Sequence, residues 1–115
     1  MKYTCPCCGY RTIEEEPPGT YEICNICYWE DDEVQLNNSD FEGGANEVSL
    51  RQAQKNFIAF GACEECFVGS VRKPTSEDVK DASWKQIFSK ENVITQFIRN
   101  NNIFLCNDER INTVL

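Results

Sequence analysis

Apolar and polar positions alternate in two clear styles along the chain. Residues 3–13 and 20–29 are short segments carrying aromatic or β-branched residues (Tyr10, Thr12 and Ile13; Thr20, Tyr21, Ile23 and Ile26), the pattern of strands. Between them Glu14-Glu15-Glu16-Pro17-Pro18-Gly19 is a turn by composition, because proline fixes φ and glycine permits φ > 0. Residues 30–47 are acidic and polar, with Asn37-Asn38 and Gly43-Gly44, and read as an irregular connection. The period then changes. Leu50, Ala53, Phe57 and Phe60 recur at three- and four-residue steps, which predicts a helix packed on a core. Ser49 is placed to cap its first turn, Gln52 three residues on completes a capping box, and Gly61 supplies a left-handed stop.

Further on the signal weakens. Residues 68–71 predict a short strand and Pro74 a break. A second helix is expected from about Asp81 or Ser83 to Arg99, with Trp84, Ile87, Phe88, Ile94, Phe97 and Ile98 as its apolar positions and Lys90-Glu91-Asn92 as an alternative breaking point. Asn100-Asn101-Asn102 ends it, and residues 103–106 read as a last buried strand.

The chain has 115 residues, which is one domain's worth, and its 41% hydrophobic and 26% charged residues are ordinary for a globular protein. Two features change the picture: eight cysteines and no histidine. The absent histidine removes the usual proton shuttle near neutral pH and makes many hydrolytic mechanisms unexpected. There is no apolar run of membrane-spanning length, and Met1-Lys2-Tyr3-Thr4-Cys5 lacks the apolar stretch of a secretory signal. A cytoplasmic location is the expectation, and the cysteines are then read as metal ligands before disulfides.

The net charge of -8 is concentrated in the first half, where residues 1–60 carry 11 acids against 4 bases; residues 61–115 carry 8 against 7. Glu14-Glu15-Glu16, Glu30-Asp31-Asp32-Glu33, Asp40 and Glu42 form the acidic runs. Such a face either aids solubility or docks a basic protein. It disfavours nucleic acid and membrane surfaces, which both need lysines and arginines at the site. The best bases for a nucleic-acid-binding alternative, Arg72, Lys73, Lys80 and Lys85, all lie in the second half.

Cys5, Cys8, Cys24 and Cys27 stand as C-x2-C-x15-C-x2-C, the spacing of a structural zinc site. Two thiolates separated by two residues grip one tetrahedral ion from a single tight loop, and two such loops close the shell. Pro6 and Gly9 suit the first loop; Asn25 and Tyr28 occupy the matching places in the second, which is less ideal. Four thiolates leave no open position for water or substrate, so the expected role is structural and the expected protein is not an enzyme. Cys5-Pro6-Cys7-Cys8-Gly9-Tyr10 also looks like one knuckle of a rubredoxin, which keeps a redox iron site as an alternative. Read as C-P-x-C it suggests a thiol oxidoreductase, although Gly9-Tyr10-Arg11-Thr12-Ile13 looks extended rather than helical. Cys7, Cys63, Cys66 and Cys106 are either buried thiols or a second four-cysteine set, since Cys63-Glu64-Glu65-Cys66 repeats the ligand spacing.

The ordered run Cys5-Pro6-Cys7-Cys8-Gly9-Tyr10-Arg11-Thr12, Pro17-Pro18-Gly19-Thr20-Tyr21-Glu22-Ile23-Cys24 and Cys27-Tyr28-Trp29-Glu30-Asp31-Asp32 resembles the cysteine-rich CPCC proteins of bacteria. The likeness continues through Gly43-Gly44-Ala45-Asn46, Val48-Ser49-Leu50 and Phe60-Gly61-Ala62-Cys63, and covers about residues 3–75. It implies zinc binding and, by association with toxin neighbours, an immunity protein that neutralises a cognate toxin. The expectation is therefore an α+β protein with a small zinc-ribbon-like N-terminal half (1–75) packed against a helix at 49–60, and a partly helical C-terminal extension (76–115) on the same core. Its partner is expected to be a protein, such as a basic toxin domain. Tyr28, Trp29, Glu30, Asp31, Asp32 and Glu33 are the expected contact residues, as an aromatic anchor ringed by charge, with Trp29 as a cover over the metal site the other reading of that residue.

Overall fold

A computed structural model describes residues 2–87. The predicted positions from Phe88 to Arg99, the strand at 103–106 and Cys106 lie outside the described residues.

The first segment folds as expected. Strand β1 (Tyr3–Thr4) pairs antiparallel with β2 (Arg11–Ile13), Tyr3 opposite Ile13 and Thr4 opposite Arg11, with an irregularity between the two pairs. The second segment is not a strand of this sheet. It is a tight loop whose flanks meet in an isolated bridge, Ile23 with Glu30, backed by Tyr21 N–H donating to Asp31 O (3.0 Å) and Asp31 N–H to Glu22 O (2.9 Å).

The acidic stretch after it holds more order than its composition suggested. Asp32 caps a short helix α1 (Glu33–Asn37), its Oδ1 accepting from the backbone N–H of Val34 (2.8 Å) and Gln35 (3.3 Å). Its other oxygen accepts from Ala45 N–H at 2.7 Å. Burial works against charge on this carboxylate, but the three N–H donors outweigh it and hold the group below the usual carboxylate range. Beneath α1 the buried Gln35 donates from Nε2 to the carbonyls of Phe41, Asn46 and Val48, each at 3.0 Å. Its Oε1 accepts from the backbone N–H and Nδ2 of Asn46. Asn46 in turn brackets Glu30, accepting from its N–H and donating to its carbonyl. Side-chain amides thus fix a loop that has no hydrophobic period.

Helix α2 (Leu50–Phe60) starts and stops where the pattern placed it. Ser49 Oγ accepts from Gln52 N–H, and Gly61 ends it in the left-handed region with its N–H on Phe57 O. Only half of the capping box forms, because Gln52 Nε2 turns to Asn56 Oδ1 instead. The buried stripe is Leu50, Ala53 and Gln54 with Phe57 partly covered, whereas Phe60 is 39% exposed. Phe60 occupies the final turn, where the helix runs past the core beneath it. Residues 65–70 form a 3-10 helix (Glu65–Ser70) rather than a strand. Residues 81–87 are turn and irregular backbone, so no helix begins at Asp81 or Ser83.

The core is small and built around sulfur. Its buried cluster holds Ile13, Ile26, Trp29, Leu50 and Ala53 together with six cysteines, Cys5, Cys7, Cys8, Cys24, Cys27 and Cys63. The architecture is α+β: a two-stranded antiparallel sheet and helices arranged around a cysteine cluster.

Candidate metal centre

Cys5, Cys8, Cys24 and Cys27 are all buried, and their four Sγ atoms lie within 4.8 Å of one another. Cys5 and Cys27 sulfurs are 3.6 Å apart, and those of Cys8 and Cys24 3.7 Å. A tetrahedral ion with metal–sulfur bonds of about 2.3 Å places its ligands about 3.8 Å apart, so the pocket already has the dimensions of a four-thiolate shell. None of these cysteines is in a disulfide.

Both loops are built alike. Gly9 N–H donates to Cys5 O (2.9 Å) and Cys5 N–H to Tyr10 O (2.8 Å); Tyr28 N–H donates to Cys24 O (2.7 Å) and Cys24 N–H to Trp29 O (2.9 Å). The residue after the second cysteine takes positive φ in each, +83° at Gly9 and +74° at Tyr28. Tyr28 therefore does the backbone work of a glycine, and its ring packs on Phe67 with centroids 4.5 Å apart. The cysteine spacing picked out the four residues that the fold brings together; the equivalence of the loops is a backbone property that the residue types concealed.

Within the cluster, hydrogen bonds from Cys27, Cys5 and Cys8, joined by Thr12 Oγ1 at 3.0 Å, hold the Cys24 sulfur as a thiolate far below its ordinary range. Burial drives the Cys5 and Cys27 thiols well up. Ile26 N–H also points at the Cys24 sulfur, 3.4 Å away. A divalent cation would take the place of the protons that these crowded sulfurs share. The donor set, all soft thiolate and fully enclosed, fits zinc or iron and not a hard cation.

The remaining cysteines do not assemble into a second centre among the described residues. Cys7 and Cys63 are buried, Cys63 N–H donating to Cys27 O at 2.7 Å, and burial raises both thiols. Cys66 is exposed on the 3-10 helix, its thiol on Glu64 Oε1 at 3.8 Å. Cys5 follows a strand and enters a turn, so the helix N-terminus that activates a redox C-P-x-C cysteine is missing here.

The expected contact residues divide. Trp29 is 1% exposed and Asp31 fully buried, which corrects their placement on an interface. Trp29 lies in the core against the cysteines. Asp31 Oδ2 accepts from the N–H and Oγ1 of Thr20, both at 2.8 Å, while its buried Oδ1 has no partner among the described residues. Asp32 is a buried helix cap; Tyr28 and Glu30 are partly covered, and Glu33 is exposed.

Sequence reasoning also missed the strap on the first loop. Arg11 N–H donates to Val79 O (2.9 Å), Asp81 N–H to Gly9 O (2.8 Å) and Trp84 Nε1 to Pro6 O (2.7 Å). The Lys80 ammonium sits 4.8 Å from the Tyr10 ring centre and 4.9 Å from that of Trp84. Asp81, held down to about 2 by its bonds from Thr4 and Ser83 and by Arg11, ties the strap to β1 and β2. No spacing rule marks residues whose partners are backbone atoms so far away along the chain.

Two loops that each offer two sulfurs to one enclosed point define a cysteine-rich domain with a cluster that could hold a metal ion. The family model described as cysteine-rich CPCC matches residues 3–78, and the chain belongs to that family. A search of curated proteins finds no match.

Proposed function

We propose that Cys5, Cys8, Cys24 and Cys27 hold one zinc ion as a structural centre in a zinc-ribbon-like pair of loops. In this reading the domain so stabilised acts by binding another protein rather than by catalysis. The observation that carries the metal reading is the enclosure of four thiol sulfurs at tetrahedral spacing. A closed thiolate shell has no open site for substrate, which favours a structural ion. Such an ion contributes roughly 10–16 kcal/mol of apparent binding energy, large against a core with so few apolar side chains. The acidic surface and the family resemblance support the specific form of an immunity protein meeting a basic toxin domain in the cytoplasm, where thiols stay reduced. Among the described residues no helix is long and apolar enough to cross a membrane.

Elemental analysis of protein from metal-replete cells tests the centre. One zinc per chain is expected, lost in Cys8→Ser and Cys24→Ser together with the folded far-UV and near-UV spectra, and kept in Cys66→Ser. Coloured protein with one iron per chain would replace this reading by the rubredoxin-like one. Retention of zinc in Cys24→Ser would overturn the ligand assignment.

A further inference from the structure

We infer that the protein's docking face is the edge presenting Tyr21 and Ile23, and that its occupant is a basic protein segment whose lysines or arginines flank an apolar side chain. This rests on the protein-binding reading above and gives it a place. Tyr21 is 62% exposed and Ile23 49% exposed. Tyr21 also holds φ +58°, a conformation costing about 1–2 kcal/mol for a residue with a side chain. Glycine or asparagine would make this turn with less strain, and the ring covers no core, so the turn does not account for a tyrosine.

The surroundings specify the partner's charge. Glu22 accepts the backbone N–H of Glu14 (2.8 Å) and Glu15 (2.9 Å) on its carboxylate, drawing the acidic turn 14–16 against residues 21–23. Glu33 lies close to Gly19 two residues before Tyr21, its Oε1 3.6 Å from where a side chain there would begin. Lys2 pairs with Glu14 at 3.1 Å, while Glu15, Glu16 and Glu33 are in none of the ion pairs found among the described residues. Two exposed apolar side chains in a segment surrounded by acids match a segment of the opposite pattern, an apolar residue accompanied by cations. Among the other exposed apolar side chains, which include Tyr3, Val34, Phe41, Val68 and Val79, Ile58 and Phe60 share helix α2, which carries no acid of its own and has Lys55 as a neighbouring charge.

The test uses the zinc-loaded full chain, a short synthetic peptide with arginines flanking a central leucine, and nitrogen-15 amide shifts at low ionic strength. Saturable binding is expected, with shifts centred on Tyr21, Ile23, Glu15 and Glu33. Tyr21→Ala should weaken it about tenfold with zinc content unchanged. Glu47→Gln, which removes an exposed acid elsewhere, should leave it within about twofold. Equal losses from Tyr21→Ala and Glu47→Gln would mean diffuse charge attraction and overturn the face. Shifts centred on Ile58 and Phe60 would overturn the face and leave the binding reading standing. Absence of saturable binding would overturn both the face and a basic partner.

Discussion

Gly9 and Tyr28 hold one backbone conformation with different side chains, and the reason lies in what surrounds each. A Cβ at Gly9 would meet the Trp84 ring at 2.7 Å, whereas Tyr28 has room to lay its ring on Phe67. Gly9→Ala therefore carries both the left-handed penalty of about 1–2 kcal/mol and an overpacking cost of about 1–3 kcal/mol. Gly61→Ala, at φ +87° with nothing within 4 Å, carries the first alone. Urea unfolding of the zinc-loaded variants should show Gly9→Ala the less stable by at least about 1 kcal/mol. Equal losses would show that the Trp84 ring moves aside freely. The four clustered cysteines were legible because the C-x2-C spacing that a four-thiolate site would need is written in the sequence itself. Asp31 was not, since a run of four acids has the composition of a surface and its burial depends on contacts with Thr20, and for Trp29 composition left a surface anchor and a cover over the cysteines both open.

Elements defined by their ends were legible, and those defined by cross-bonds were not. Ser49 and Gly61 mark α2 because capping is a local interaction written within four residues. Helix α1 and the loop to residue 48 depend instead on Gln35 and Asn46, whose partners lie 6 to 16 positions away and leave no periodic trace. Gln35→Leu keeps the volume but strands the carbonyls of Phe41, Asn46 and Val48 and the amide groups of Asn46. A loss of about 2–4 kcal/mol is expected, against about 1 kcal/mol for Ser49→Ala, both read by urea denaturation. If Gln35→Leu costs no more than the cap, water has replaced the amide and the loop is not held by it.

At the scale of the whole molecule the proposed zinc ion would link the protons to the fold. Burial raises the Cys5 and Cys27 thiols, so at neutral pH the metal-free cluster carries protons there that zinc must expel. Hydrogen bonds from the neighbouring cysteines lower the Cys24 thiol in the same cluster. The metal-free state thus binds more protons than the loaded one, and zinc affinity should rise with pH, about tenfold per unit for each proton expelled. Acidification should release zinc and unfold the chain together. Competition with a chelator across neutral pH checks the slope; an affinity flat with pH would exclude thiol protons from the exchange.

The strap from Val79 to Trp84 gives the domain two different ends. A peptide finishing at Asp78 would retain every sulfur ligand yet lose the groups that close on Pro6 O, Gly9 O and Arg11 N–H. Under the zinc reading, the shortest sequence carrying the four sulfurs is therefore shorter than the shortest sequence that covers them, and a peptide trimmed to the cysteine motif is expected to lose zinc to a chelator faster than the full chain.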